Sequence, residues 1–116
     1  MRVPWWLPFG RVPEIAARRL AMDLDGAPPP QLLDVRTEGE FRRGHLRGAL
    51  SVPIAGLPSR LPSLALDRAR PVVAICLTAH RSIPAVRLLR EAGYDAAQLR
   101  GGMLAWRAAG YPEEPG

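Results

Sequence analysis

The segment Pro71-Val-Val-Ala-Ile-Cys76 constrains the fold of this chain more than any other part of the sequence. It is uncharged and rich in β-branched residues, which is typical of a strand buried on both faces of a sheet. Short apolar runs alternate with stretches of helical spacing in the rest of the chain. A buried strand within such an alternation predicts an α/β fold with a mostly parallel sheet.

The other expected elements follow from apolar spacing and from the positions of glycine and proline. Thr37 and Glu40 have the spacing of a capping box, which predicts a short helix that stops at Gly44. Residues 54–61 read as a helical stretch broken by proline. Helices are predicted over Pro13 to about Leu24, Glu38–Arg43, Ser82–Ala92 and the residues after Gly101-Gly102, and further strands over 31–35, 49–52 and 95–99.

Composition excludes several classes of function. The chain has 116 residues, which fits one domain, and a net charge of +5 carried by scattered arginines. Scattered cations favour small anionic ligands or acidic partner proteins over nucleic acid or a membrane surface. A single cysteine permits neither an internal disulfide nor a multi-cysteine metal site, so no metal and no cofactor are expected. Neither a signal peptide nor a membrane span is expected, which predicts a cytoplasmic protein.

The single cysteine, Cys76, occupies the place where parallel sheets bind ligands. It ends the buried strand and is followed by a loop and the start of a helix; residues 77–82 are called the Cys76 loop below. Backbone N–H groups at a helix start favour an anion, and a cysteine there is expected to react as a thiolate. The alternative is an inert core residue, which is the usual fate of a lone cysteine on an apolar strand.

Three segments resemble the motifs of rhodanese-like domains, in the same order. The first contains Leu33-Asp-Val-Arg36, Glu40-Phe41, Gly44-His-Leu-Arg-Gly-Ala49 and Pro53. The second, Cys76-Leu-Thr-Ala-His-Arg-Ser82, resembles the active-site loop of the family. The third contains Leu99-Arg-Gly-Gly-Met103, Trp106 and Gly110-Tyr-Pro112. The resemblance predicts a rhodanese-like domain over residues 13–112, preceded by an irregular extension (1–12) that carries Trp5, Trp6 and Phe9, and followed by a tail (113–116).

The resemblance implies a central five-stranded parallel sheet flanked by helices, and a sulfurtransferase reaction. Cys76 would take the outer sulfur of a small anionic donor such as thiosulfate and hold it as a persulfide. A thiol, cyanide or a protein acceptor would then remove that sulfur. One covalent intermediate serves both half-reactions, so no second cysteine is needed.

Each residue near Cys76 has a functional and a structural interpretation. Arg81 would orient the anionic donor, or else point to solvent. Asp34 and Arg36 would line the same crevice, or else form a structural ion-pair network with Glu40 or the loop. His45 is expected to hold its own turn. The Cys76 loop is expected to supply the anion site through its backbone and side chains: Leu77, Thr78, Ala79, His80, Arg81 and Ser82.

Two other functions remain open on this sequence. One is a binding module that docks a partner protein without turnover. The other is a phosphatase or arsenate reductase, whose loop carries its arginine six positions after the cysteine, whereas Arg81 lies five positions after Cys76. Three residues depart from the family pattern: Ser51 stands where asparagine is commoner, His80 where smaller residues are frequent, and Ala79 where glycine is frequent. An alanine would be strained if that position required a positive φ.

Overall fold

The chain folds around a single parallel sheet, as the sequence predicts. The computed structural model describes residues 4–116. Within these residues five strands pair side by side in the order β1-β5-β4-β2-β3, and every pairing is parallel. The strands are β1 (Glu14–Ile15), β2 (Gln31–Asp34), β3 (Leu50–Ser51), β4 (Val72–Ile75) and β5 (Ala96–Leu99). β4 lies at the centre and is buried along its whole length, which confirms the strand predicted there.

Helices cover both faces of the sheet. The helices are α1 (Ala17–Asp23), α2 (Glu38–Arg43), α3 (Leu57–Arg60), α4 (Ser82–Glu91) and α5 (Gly102–Ala108). Short 3-10 turns at Ile54–Gly56 and Leu61–Ser63 flank α3, as the prolines there predict. Leu20 of α1 and Trp106 of α5 pack in one apolar cluster, whereas Leu57 of α3 and Leu89 of α4 pack in the other. The sheet therefore has a core on each side.

The predicted helix from Pro13 to Leu24 is wrong at its beginning. Glu14 and Ile15 form β1, and the helix starts only at Ala17. The carbonyl of Pro13 accepts from the N–H of Gln98 at 2.9 Å, and that of Ile15 accepts from Arg100 at 2.9 Å. Pairing with β5 thus outweighs the local preference of a proline for the first helical turn.

The connection after β2 confirms the predicted capping box. The Thr37 hydroxyl accepts from the Glu40 N–H at 3.2 Å, and the Glu40 carboxylate accepts from the Thr37 N–H at 3.1 Å. His45 Nδ1 lies 2.8 Å from the carbonyl of Phe41, and the two rings stack with centroids 3.8 Å apart, so His45 holds its own turn. Glu114 pairs with His45 in an isolated antiparallel bridge.

The described part of the aromatic extension lies against α4. Arg87 of α4 donates to the carbonyls of Leu7 and Phe9, each at 2.5 Å. Trp6 and Phe9 are about three-fifths exposed, at 60% and 62%. Residues 1–3 of the predicted extension lie outside the described residues, and the division into 1–12, 13–112 and 113–116 stays a prediction. No helix within residues 4–116 combines the length and the apolar character needed to cross a bilayer.

Candidate active site

Cys76 lies at the carboxyl end of the central strand. It follows directly after Ile75, the last residue of β4, and precedes a loop that leads into α4 at Ser82. Its neighbours in the sheet are the ends of β2 and β5, which pair with β4 on either side. The residue is buried, with 1% of its surface exposed. The predicted position of the cysteine, at the end of the buried strand and before the loop that leads into a helix, is therefore confirmed.

The backbone of Cys76 is held from the far side by α5. The N–H of Met103 donates to the Cys76 carbonyl at 2.9 Å, and that of Leu104 donates to the Leu77 carbonyl at 3.1 Å. Gly102 makes this approach possible, because its φ is +57° and a Cβ atom there would collide with both carbonyls. The first two carbonyls of the site thus point toward α5.

The backbone N–H groups at the beginning of the Cys76 loop are unpaired within the part of the chain that the structure describes. Within residues 4–116, the backbone N–H groups of residues 77–81 have no hydrogen-bond acceptor. They lie just before a ten-residue helix whose own first N–H groups carry partial positive charge. Ala79 stands where the family often has glycine, but its backbone is not strained. No non-glycine residue in the described range has a positive φ.

The thiol of Cys76 begins a buried series of polar contacts. Sγ lies 3.3 Å from the hydroxyl of Ser82, which lies 2.6 Å from the side-chain oxygen of Gln98. The Gln98 amide nitrogen donates to the carboxylate of Glu14 at 2.8 Å. Ser82 and Gln98 are 0% and 3% exposed. The strand register explains why Gln98 reaches Glu14: in the sheet Gln98 pairs with Ala74 of β4 on one side and with Glu14 of β1 on the other.

Arg81 forms a two-point ion pair with Glu40. Its NH1 and NH2 atoms lie 2.5 and 2.9 Å from the two carboxylate oxygens. The hydrogen bonds from Arg81, with further bonds from Thr37, lower the pKa of Glu40 from 4.5 to about 2. The same pairing raises the pKa of Arg81, and the nearby Cys76 sulfur adds to that rise. Arg81 is 32% exposed and carries its charge close to the sulfur.

Asp34 and Arg36 form a second ion pair, which is fully buried. Arg36 NH2 lies 2.7 Å from Asp34 Oδ2 and 2.7 Å from the Gly44 carbonyl. The side chains are 0% and 1% exposed. Both groups therefore have partners of their own, and the pair joins the end of β2 to the end of α2. Glu40 is not part of this pair, since it bonds Arg81 instead.

The remaining loop side chains make no contact that assigns them a role. His80 is exposed, and Thr78 is half-buried. Among residues 4–116 no group of three or more histidine, cysteine or acidic side chains could hold a metal ion. Gln98 and Glu14 are not among the residues predicted for the site. A glutamine in the short apolar run Ala96–Leu99 is the signal that would have found them, since a buried polar side chain requires a partner.

A family comparison agrees with this geometry. The family model "Rhodanese-like domain" matches residues 17–109. The chain belongs to the rhodanese-like domain family. A protein named as a sulfurtransferase of Allochromatium vinosum is 34% identical over 102 residues, which covers 87% of this chain and 94% of the relative. An HTH-type transcriptional regulator of Mycobacterium tuberculosis is 44% identical over 87 residues, but these span only 38% of its length.

Solved structures agree on the rhodanese-like fold. The rhodanese-like domain of an Anabaena protein is 34% identical, with a TM-score of 0.79 over 90% of this chain and 80% of that one. A rhodanese-related protein of Thermoplasma volcanium is 27% identical, with a TM-score of 0.80 over 89% of this chain and 98% of that one. The predicted five-stranded parallel sheet flanked by helices is confirmed.

Proposed function

We propose that this rhodanese-like chain is a sulfurtransferase that moves a sulfane sulfur from a thiosulfate-like donor to a thiophilic acceptor through a persulfide on Cys76. The observation that carries the proposal is the placement of Cys76 at the end of β4, directly before the unpaired N–H groups of residues 77–81. A site of this form stabilises an anion, whether it is the thiolate, the persulfide or the donor. The sulfurtransferase of Allochromatium vinosum supports the same class of reaction.

The first half-reaction is a displacement at sulfur. The Cys76 thiolate attacks the outer sulfur of thiosulfate, the Sγ–S bond forms, and the bond between the two thiosulfate sulfurs breaks. Sulfite leaves with the electron pair, and the negative charge stays on the persulfide. In this proposal the unpaired N–H groups of residues 77–81 stabilise that charge without reorganisation during the reaction. Arg81, whose charge lies near the sulfur, would orient the sulfonate oxygens of the donor.

The second half-reaction returns the free thiolate. A nucleophilic acceptor such as cyanide or a thiolate attacks the outer sulfur of the persulfide, and the Sγ–S bond breaks with its electrons remaining on Cys76. Cyanide gives thiocyanate, and a thiolate gives a new persulfide on the acceptor. Both steps use the same sulfur atom, so the single cysteine of the chain is sufficient.

The structure argues against the phosphatase alternative. An arginine clamp six positions after the cysteine would have to stand at Ser82. That position is fully buried, and its short side chain is already bonded to Cys76 and Gln98. A serine hydroxyl cannot provide the forked contact that guanidinium makes with phosphate.

The decisive experiment is the intact mass of the protein after exposure to thiosulfate and, separately, to 3-mercaptopyruvate. We expect a gain of one sulfur atom, which is lost on addition of cyanide with release of thiocyanate. Cys76→Ser should show neither. Thiocyanate release that persists in Cys76→Ser at the parent rate would refute the proposal.

A second candidate is a binding module without turnover. It is favoured by the burial of Cys76 and by the pairing of Arg81 with Glu40, which leave little of the site open to a donor. The transcriptional regulator that matches this chain over 38% of its own length shows a similar domain within a larger protein. No mass gain with either donor, together with a defined complex whose formation survives Cys76→Ser, would favour this candidate.

A further inference from the structure

The polar side chains behind Cys76 form a series in which each hydrogen bond determines the direction of the next. The series consists of Cys76, Ser82, Gln98 and Glu14, and Arg100 closes it by donating to the second oxygen of Glu14 at 3.3 Å. It runs from the sulfur to the edge strand β1. There Glu14 and Arg100 line a surface cleft of about 370 Å³.

The direction of each bond follows from the chemistry of the groups. The Glu14 carboxylate only accepts hydrogen bonds, so the amide nitrogen of Gln98 must face it. The Gln98 oxygen then faces Ser82, at 2.6 Å. A hydroxyl has one proton, and two acceptors lie within its reach: the buried Gln98 oxygen at 2.6 Å and the Ala79 carbonyl at 3.1 Å. The shorter contact, to Gln98, takes the proton. The oxygen of Ser82 therefore presents lone pairs to Cys76, and the thiol is the donor in the 3.3 Å contact.

Ionisation of Cys76 conflicts with this arrangement. A thiolate has no proton to donate and requires donors of its own. Ser82 can supply one only by turning its proton from Gln98 to the sulfur. That turn would leave the Gln98 oxygen buried without a donor, because Gln98 is 3% exposed and its nitrogen is held by Glu14.

We propose that Gln98 and Glu14 are positioning residues for the sulfur of Cys76: they hold the Ser82 proton away from it and thereby favour the neutral thiol over the thiolate. The two residues do not touch the sulfur and act through the hydroxyl of Ser82. The proposal deepens the proposed function, on which it rests, because it assigns a control of the nucleophile in the resting enzyme.

Other charges also act on the sulfur and must be separated from this effect. Arg81 in the Cys76 loop and the start of α4 favour the thiolate. Asp34 and Arg36, beside β4, are paired with each other, and Glu40 neutralises part of the Arg81 charge. On the β5 side, Glu14 is paired with Arg100. A substitution at Glu14 therefore changes both the hydrogen-bond series and the local charge.

The test is the rate of Cys76 alkylation by iodoacetamide as a function of pH. The pH midpoint reports ionisation of the thiol whatever the access of the reagent, and Cys76 is the single cysteine of the chain. Gln98→Met removes the shorter of the two Ser82 acceptors at nearly constant volume and leaves the longer contact to the Ala79 carbonyl, so we expect the midpoint to fall by about one pH unit at most. Glu14→Gln lets the Gln98 amide turn over and should lower the midpoint by a smaller amount.

The same substitutions in a Ser82→Ala background identify the mechanism. A hydroxyl-mediated effect disappears there, whereas a purely electrostatic effect of Glu14 remains. Glu38→Gln is the charge-matched control, since Glu38 is exposed and pairs with Arg42 on α2. An unchanged midpoint in Gln98→Met, or equal shifts with and without the Ser82 hydroxyl, would overturn the proposal.

Two further measurements distinguish an effect on thiol ionisation from a folding defect and from a failure of sulfur transfer. If Gln98→Met does not fold, the comparison of Glu14→Gln in the two backgrounds decides, because Glu14 is only partly buried. Persulfide formation is measured by mass on the same samples. Failure to form a persulfide would refute the proposed function and leave the alkylation result valid, whereas normal persulfide formation with unmoved midpoints would refute only the role of Gln98 and Glu14.

Discussion

Two arginine–carboxylate pairs lie near the sulfur, and they differ in burial. Asp34 and Arg36 are 0% and 1% exposed, and the guanidinium also donates to the Gly44 carbonyl. Glu40 and Arg81 are 23% and 32% exposed, and Arg81 belongs to the Cys76 loop. Each pair joins an arginine to a carboxylate, and in each two guanidinium nitrogens contact both carboxylate oxygens. What separates the pairs is access to water.

This difference in exposure gives the two ion pairs different roles. A buried pair cannot exchange partners without leaving a charge uncompensated, so Asp34–Arg36 acts as a fixed part of the fold. A partly exposed pair contributes about 1 kcal/mol or less, so Arg81 can leave Glu40 for an incoming anion at small cost. The first pair holds the site together, and we infer that the second is exchangeable.

The largest expected effect is that of breaking the buried pair. Arg36→Met leaves the Asp34 carboxylate buried without its counter-charge, which should lower the free energy of unfolding by about 3–5 kcal/mol. Chemical denaturation measures it. Asp34→Leu combined with Arg36→Met should lose less than Arg36→Met alone, because no unpaired charge then remains.

Arg42→Met is the matched control for that experiment. Arg42 pairs with Glu38, and both are about two-thirds exposed, at 66% and 68%. Its loss should change stability by about 0.5 kcal/mol at most. A similar loss in Arg36→Met and Arg42→Met would remove the distinction between the two kinds of pair.

Arg81→Gln should affect the reaction more than the fold. If Arg81 binds the donor, its loss should raise the KM for thiosulfate about tenfold, which corresponds to one charge-assisted hydrogen bond. The kcat should change less, and stability should fall by about 1 kcal/mol or less. A KM within the error of the parent value would show that the backbone alone binds the donor.

The fold was predictable where the sequence pattern is local or long enough to repeat. The capping box of Thr37 and Glu40 lies within four residues, and the buried strand ending before Cys76 has an unmistakable composition. β1 was not predictable, because two residues cannot show alternation. Glu14 and Ile15 are in a strand only because β5 offers them partners 84 residues along the chain, as the contact between Gln98 and Glu14 shows.

The site was predictable only in part, for a similar reason. The place of Cys76 follows from strand order, and the nearness of Arg81 follows from loop length. The partner of Arg81 does not follow, since Glu40 comes from a different helix and also caps it. The buried contact of Ser82 does not follow either. Its bond to Gln98 depends on the register of β4 with β5, which no local pattern contains.

Glu40→Gln tests whether the exposed pair restrains Arg81. Glutamine keeps the capping-box geometry of α2 and removes the negative charge. Arg81 should then bind an anion more readily, so the KM for thiosulfate should fall by about threefold. A threefold change corresponds to less free energy than one charge-assisted hydrogen bond. Steady-state kinetics at constant ionic strength measures the change. A higher KM would mean that Glu40 holds Arg81 in its productive position.

The exposed pair should also contribute a specific dependence of stability on pH. The pKa of Glu40 is lowered from 4.5 to about 2 in the folded chain. A carboxylate whose pKa is lowered by folding stabilises the fold at any pH above its pKa in the unfolded chain. That contribution is lost as the pH falls toward its pKa in the folded chain. The difference in unfolding free energy between parent and Glu40→Gln should therefore be constant above pH 4.5 and shrink between pH 4.5 and 2. A difference that does not change across this window would contradict the assignment.

The smallest effect should come from a buried polar group that has no hydrogen-bond partner among residues 4–116. Ser51 stands beside Asp34 in the strand register, and its hydroxyl is buried without a hydrogen-bond partner in the described part of the chain. Ser51→Ala removes that group and should stabilise the fold by about 0.5–1 kcal/mol, measured by denaturation. Ser63→Ala is the control, because the Ser63 hydroxyl is exposed and donates to the Arg60 carbonyl at 2.8 Å, so its loss should be neutral or slightly destabilising. A destabilised Ser51→Ala would mean that this hydroxyl supports the buried pair, and that the pair depends on more than its own two charges.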